Sequence, residues 1–179
     1  KNYISGPDFP TGGEIVGNKG IKKAYKKGKG KITIRAKTHI SGSGSDQKII
    51  IDELPYQVNK AKLIANIAEL VNKNKIKNIT DVRDETDKEG LRVVVELKAS
   101  AEAQIVLNRL YKFTSLQKNH RINLLALVDN KPEVMDLKTM LQHYLEFRKE
   151  VITRRTRHKL KKTRDRYHIV QGLIKAISL

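Results

Sequence analysis

With 179 residues, a net charge of +18 and no cysteine, the chain is long enough for one sizeable core or two small domains. Its composition excludes disulfides and thiolate metal sites. No apolar run approaches the roughly 18 residues of a transmembrane helix, and no signal peptide is expected. A cytoplasmic protein is expected and, with Lys1 in place of Met, so is a piece of a longer one. A cation excess of this size points to a polyanion partner, most often nucleic acid. An anionic membrane fits less well, because the one long basic helix lacks an apolar face through its basic part.

Residues 1–10 carry Gly6, Pro7 and Pro10 and read as an extended lead-in. A short strand is expected around Ile15 and Val16, and a short helix over Ile21 to Lys27 that ends at Gly28, a residue suited to the position after a helix end. Lys31 to Thr38 alternates strictly, which predicts a half-buried strand with Ile32, Ile34 and Ala36 inward and Lys31, Thr33, Arg35 and Lys37 outward. Ser41 to Asp46 is a flexible hairpin loop with no assigned function, and Lys48 to Glu53 is the return strand. Pro55 stops that strand because it has no N–H for a ladder. Asn59 then caps a helix with Leu63, Ile64, Ile67, Leu70 and Val71 at helical spacing. Two more strands follow, Ile79 to Arg83 and Leu91 to Leu97, joined by an acidic polar segment. Ser100 is expected to cap a helix containing Ile105, Val106 and Leu110. Ile122 to Val128 reads as a strand turned back by Asp129-Asn130-Lys131-Pro132.

From Asp136, a residue suited to an N-cap, no Gly or Pro intervenes until Gly172. Leu137, Met140, Leu141, Tyr144 and Leu145 begin a helical apolar stripe that Ile169, Val170, Leu173, Ile174 and Ile177 resume. Such a helix is about 60 Å long at 1.5 Å per residue. Its stripe needs a partner helix, so it is expected to project as one arm of a coil. The expected organisation is an α+β body over 1–135, built from mixed or antiparallel sheets with packed helices, and a coiled-coil arm over 136–179.

Two basic constellations stand out. In the first, Lys31, Arg35 and Lys37 project from one face of a strand at about 6.6 Å intervals, with Lys26, Lys27 and Lys29 just before them. Such a line could neutralise successive phosphates without reading sequence; an ordinary solvated sheet face is the competing reading. The second runs from Arg154 to Arg166 on the long helix, where an acid-rich partner helix could equally neutralise it. The acids Asp81, Asp84, Glu85, Asp87 and Glu89 do not match a calcium loop and read as a solvated turn. No two histidines share metal-ligand spacing on one helix, and Gly28-Lys29-Gly30-Lys31 and Gly42-x-Gly44 both fail the phosphate-binding glycine patterns. The residues therefore indicate no catalytic or metal site.

Glu53-Leu54-Pro55-Tyr56-Gln57-Val58-Asn59-Lys60-Ala61-Lys62-Leu63, with Gly6-Pro7-Asp8-Phe9-Pro10-Thr11-Gly12-Gly13 upstream, resembles the A subunits of the bacterial type IIA topoisomerases, DNA gyrase and its close relative topoisomerase IV. Further matching stretches are Gly28-Lys29-Gly30, Ile79-Thr80-Asp81-Val82-Arg83-Asp84-Glu85, Asn123-Leu124-Leu125-Ala126-Leu127-Val128 and Arg154-Arg155-Thr156. They occur in family order along nearly the whole chain, and the Tyr56 to Lys60 wording leans toward gyrase. The resemblance implies a tower domain followed by the outgoing coiled-coil helix, in an enzyme that cleaves both strands of one duplex, passes another and reseals. The partners it implies are double-stranded DNA, the gyrase B subunit, plus a second copy of the gyrase A chain. ATP and Mg2+ would enter through the B subunit, with no cofactor in this region. The family nucleophile is a Tyr preceded by Arg and followed by Thr. Only Tyr167 follows an Arg here, and its context differs, so the cleavage domain is expected before Lys1 and this stretch is expected to be inactive alone. DNA-backbone candidates are Lys26, Lys29, Lys31, Arg35 and Lys37, with Lys60 and Lys62 weaker because they border the elbow.

Two other readings stay open on composition. One is a basic RNA-binding α+β protein, disfavoured by an aromatic content of 5%, since base stacking needs rings. The other is a structural module whose long helix recruits a protein. The corresponding chain of topoisomerase IV, a decatenating relative, is the alternative within the resemblance.

Overall fold

A computed structural model describes residues 4–178; the first three residues of the expected lead-in and the last residue of the expected helix lie outside them. In chain order the elements are β1 (Glu14–Ile15), α1 (Lys19–Lys27), β2 (Lys29–Arg35), β3 (Lys37–Ser41), β4 (Lys48–Glu53), α2 (Lys60–Asn72), β5 (Ile79–Asp84), β6 (Val93–Leu97), α3 (Ala103–Phe113), β7 (Gln117–Asn123), β8 (Leu125–Val128), β9 (Lys131–Val134) and α4 (Leu137–Ile177). All strand pairs among the described residues are antiparallel, so the fold is α+β. Two compact units form, Lys1–Asn123 and Leu124–Leu179.

The first unit is built on two sheets. A four-stranded sheet in the order β3-β4-β6-β5 packs one face against α2 and α3. Ile49 and Ile51 of β4 and Val93 and Val95 of β6 meet Leu63 and Ile67 of α2 and Val106 and Leu110 of α3, all buried. Each such side chain contributes about 1.5–3 kcal/mol relative to exposure. The opposite face is covered by ion pairs. Arg83 bridges Glu85 and Glu96, Lys48 reaches Glu96 at 3.7 Å, and His39 Nδ1 lies 2.7 Å from Asp52. Ile50 and Val94 belong to this face and are also buried.

The second sheet, β1-β2-β7, uses the alternation of β2 as expected. Ile32 and Ile34 point to one face and pack with Ile21 of α1. The approach of α1 to β2 is close because of two glycines. A Cβ on Gly20 would stand 2.1 Å from the Lys31 carbonyl oxygen, and one on Gly30 would stand 2.7 Å from the Ala24 Cβ. Gly28, at φ 70°, turns the chain from α1 into β2 and donates its N–H to Ala24 O at 2.8 Å.

Three expectations need correction. The strand read over Lys31 to Thr38 is two strands in two sheets: at Ala36 the chain leaves β2, its N–H donating to Leu116 O at 2.8 Å, and β3 pairs with β4 instead. Alternation continues through the corner, so the pattern could not reveal it. Helix α3 begins after Glu102, not Ser100, because the intervening residues form a turn in which Ala101 N–H donates to Lys98 O. The strand read over Ile122 to Val128 breaks at Leu124, and β7 starts earlier, at Gln117. The division into compact units falls between Asn123 and Leu124, and β8 and β9 pair only with each other.

In the second unit, β8 and β9 join through Asp129 and Asn130, both at positive φ (49° and 64°), the twist a two-residue hairpin favours. Met135 N–H donates to Leu124 O. Asp136 caps α4, accepting the Thr139 N–H at 2.9 Å. Helix α4 has no buried residue, and its apolar stripe, including Leu145, Phe147, Leu173 and Ile174, is exposed.

Candidate nucleic-acid interface

The face of the β1-β2-β7 sheet turned away from α1 carries Lys29, Lys31, Thr33 and Arg35 of β2, since successive strand residues point to opposite sides. The register sets a matching row on β7: Asn123 opposite Lys29, Arg121 opposite Lys31, Asn119 opposite Thr33 and Gln117 opposite Arg35. Directly paired residues share a face with Cα atoms about 4.5–5.5 Å apart. Lys31 and Arg121 are therefore adjacent like charges, both exposed. Thr33 Oγ1 donates to Asn119 Oδ1 at 2.9 Å, which orders the polar middle of the face. Glu14 of β1 stands opposite Arg35, at the end of the row away from Lys29. Among the described residues, Lys29, Lys31 and Arg121 take part in no ion pair.

The seven candidate cations divide into groups. Lys29 and Lys31 lie together on this face. Arg35 shares the face, but its guanidinium is occupied: Cζ sits 4.4 Å from the Tyr111 ring centroid, and Nε and Nη2 donate to Gln117 Oε1 at 3.0 and 2.6 Å. The Tyr111 hydroxyl in turn lies 2.8 Å from Thr38 Oγ1. Arg35 thus ties β2, β7 and α3 together. Lys37 belongs to the other sheet and pairs with Glu53 at 3.5 Å. Lys60 is half-buried and bound to Asp84, 2.7 Å from Oδ2; that hydrogen bond, followed by those from Thr86, holds the Asp84 carboxyl down to about 2. Lys62 lines a polar cleft with Asn66, Ser115 and Lys118. Lys26 lies on α1, which covers the opposite face of the sheet. The line of cations expected along one strand is therefore a compact patch of Lys29, Lys31 and Arg121, flanked by Asn119 and Asn123.

Arg121 was missed because β7 lacks an aliphatic pattern. Its inward residue His120 packs edge-on against Phe9 and Tyr56, with centroids 5.3 and 5.9 Å away, in place of a Val or Ile. The signal that could have found it is the polar alternation of Asn119, Arg121 and Asn123 around His120 and Ile122. The elbow and the lead-in meet beside this cluster: Phe9 stacks on Tyr56 at 5.4 Å, and Gly13 N–H donates to Glu53 Oε2 at 2.6 Å.

No group of three or more His, Asp or Glu among the described residues is placed to hold a metal. In the acidic segment Asp84 pairs with Lys60 and Glu85 lies between Arg83 and Arg92, while Asp87 accepts the N–H groups of Glu89 and Gly90 within the turn. No described helix is long and apolar enough to cross a membrane.

The family model for the DNA gyrase/topoisomerase IV A chain matches residues 1–179, and this chain belongs to that family. The DNA gyrase A chain of Clostridium acetobutylicum is 54% identical over 171 residues, 95% of this chain and 21% of the relative. That of Halalkalibacterium halodurans is 55% identical over 171 residues, 96% and 20% of the two chains, and that of Neisseria gonorrhoeae 47% over 180 residues, 99% and 20%. The chain thus spans about a fifth of the length of the curated relatives it matches.

Proposed function

We propose that this chain is a non-catalytic scaffold within the DNA breakage-reunion subunit of a type IIA topoisomerase, of the gyrase kind. Its Lys29, Lys31 and Arg121 patch lies against the backbone of the gate duplex. The observation that carries this reading is the unneutralised Lys31–Arg121 pair. Like charges directly opposite on neighbouring strands destabilise a sheet, and a phosphate between them reverses the sign. Asn119, Asn123 and Thr33 add neutral donors of the kind that hold phosphate oxygens. The Tyr111 ring lies against Arg35 and is not free to stack on unpaired bases, which favours duplex over single-stranded RNA.

The gyrase assignment is supported by relatives at 47–55% identity that are all gyrase A chains. On this reading the whole enzyme uses ATP to introduce negative supercoils in the cytoplasm, pairs two copies of its A chain, and takes ATP and Mg2+ through its B subunit. The chain has no tyrosine in the context of the family nucleophile, so it forms no covalent DNA adduct on its own. Fluorescence anisotropy with a duplex of about 30 base pairs and a matched RNA tests the proposal. Duplex preference, lost in a Lys31→Glu, Arg121→Glu variant that remains folded, is expected. Equal or stronger RNA binding, or an unaffected variant, would overturn it.

A further inference from the structure

Helix α1 presents a second basic surface that no part of the preceding reading uses. Its sequence is Lys-Gly-Ile-Lys-Lys-Ala-Tyr-Lys-Lys. At 100° per residue, Lys19, Lys22, Lys23, Lys26 and Lys27 occupy one continuous arc, while Ile21 and Ala24 face the sheet and are buried. All five lysines are exposed, and among the described residues none is in an ion pair. The first turn holds no acid, so Lys19 faces the positive end of the helix dipole uncompensated. Lys19 and Lys23, Lys22 and Lys26, and Lys23 and Lys27 are like-charge pairs four residues apart, each of which weakens an isolated helix. Local stability does not account for this arrangement; a bound polyanion would.

The direction of the surface matters. Helix α1 packs on Ile32 and Ile34, whose side chains leave β2 on the side opposite Lys31. The α1 lysines and the Lys29, Lys31 and Arg121 patch therefore look out from opposite sides of one sheet, with the helix diameter of about 10 Å added between them. A straight duplex lying on one cannot reach the other. We propose that the lysine face of α1 is a separate binding surface for a second segment of duplex nucleic acid, held through its phosphates. A membrane fits less well as the occupant, because Ile21 and Ala24 of α1 are buried against the sheet and the half-buried Tyr25 leaves little apolar surface to enter a bilayer. Lysine gives point charges without the fixed fork that reads guanine or clamps a carboxylate, which suits sequence-independent backbone contact. The inference stands apart from the strand-face reading and fails or survives separately.

The test uses the 179-residue chain in three forms: unaltered, with Lys29→Gln, Lys31→Gln and Arg121→Gln, and with Lys19→Gln, Lys22→Gln, Lys23→Gln, Lys26→Gln and Lys27→Gln. Each is titrated with a duplex of about 12 base pairs for stoichiometry and with one of about 30 base pairs across a salt series. Each phosphate neutralised contributes a slope of about −0.9 in log Kobs against log salt. In the overall constant for binding two duplexes, the α1 variant should flatten the slope by about 4.5, and it should bind one short duplex where the unaltered chain binds two. Five Lys→Arg changes should keep both values. If the quintuple Gln variant does not fold, Lys22→Gln with Lys26→Gln should flatten the slope by about 2. An unchanged slope and stoichiometry in the folded α1 variants would overturn the inference, as would binding to anionic vesicles without binding to duplex. Loss of all binding in the α1 variant with none lost in the strand variant would leave it standing and sink the strand-face proposal.

Discussion

Arg35 is the residue for which sequence and structure give different roles, and replacing it by alanine separates them. The substitution removes the guanidinium from the Tyr111 ring, 4.4 Å from its centroid, an interaction of about 1 kcal/mol in a part-buried setting. It also removes two charge-assisted donors from a single acceptor, Gln117 Oε1, a net loss of about 1.5–3 kcal/mol. Together the change should destabilise the first unit by about 3 kcal/mol, enough to lower its melting temperature by roughly 10 °C. Urea unfolding followed through the amide NMR signals of β2 and β7 measures the loss, because the tryptophan-free chain offers no convenient fluorescence probe. The salt slope for duplex DNA should stay as in the unaltered chain. A stability within about 0.5 kcal/mol of the unaltered chain, combined with a slope flattened by about 0.9, would refute this reasoning and return Arg35 to the phosphate contacts.

Three further outcomes follow from the geometry. The Lys60 hydrogen bond holds Asp84 down to about 2, below the ordinary value of about 3.9 in an unfolded chain; this favours the folded state above about pH 4, and the contribution is lost as pH falls toward 2. A Lys60→Met change should return the Asp84 midpoint toward the ordinary range in a carboxyl NMR titration, and an unmoved midpoint would contradict the pairing. Gly20→Ala drives a Cβ against the Lys31 carbonyl and should cost about 2 kcal/mol by overpacking, seen as a lower urea midpoint, whereas a neutral effect would mean α1 stands further from β2. Asn59→Ala removes the acceptor of the Lys62 N–H, now 3.0 Å away, and should cost about 1 kcal/mol, with faster hydrogen exchange confined to the first turn of α2.

The helices and the central strands were legible because their cores are aliphatic and periodic. Leu63 and Ile67 mark α2, Ile32 and Ile34 mark β2, and Asn59 and Asp136 cap where their side chains suit the task. The corner at Ala36 was not legible, since a strand that changes sheets without changing parity leaves no trace in alternation. Strand β7 was hidden for a different reason. His120 fills an inward position by stacking on Phe9 and Tyr56, distant residues that no local window contains. Part of the candidate patch sits on that strand, so sequence supplied Lys29 and Lys31 but not their neighbour Arg121. Free and occupied cations were also indistinguishable in sequence: Arg35, Lys37 and Lys60 differ from Lys31 only through Gln117, Glu53 and Asp84, partners fixed by tertiary structure.

The most direct test of the strand-face patch is the salt dependence of binding to a duplex of about 30 base pairs, compared between the unaltered chain and Lys29→Gln, Lys31→Gln, Arg121→Gln. Three phosphate contacts carry a slope of about −2.7, worth roughly 40-fold in affinity between about 50 and 200 mM salt. The account predicts that the triple variant loses this contribution from the overall binding constant with the fold intact. A folded triple variant whose slope matches the unaltered chain would contradict it.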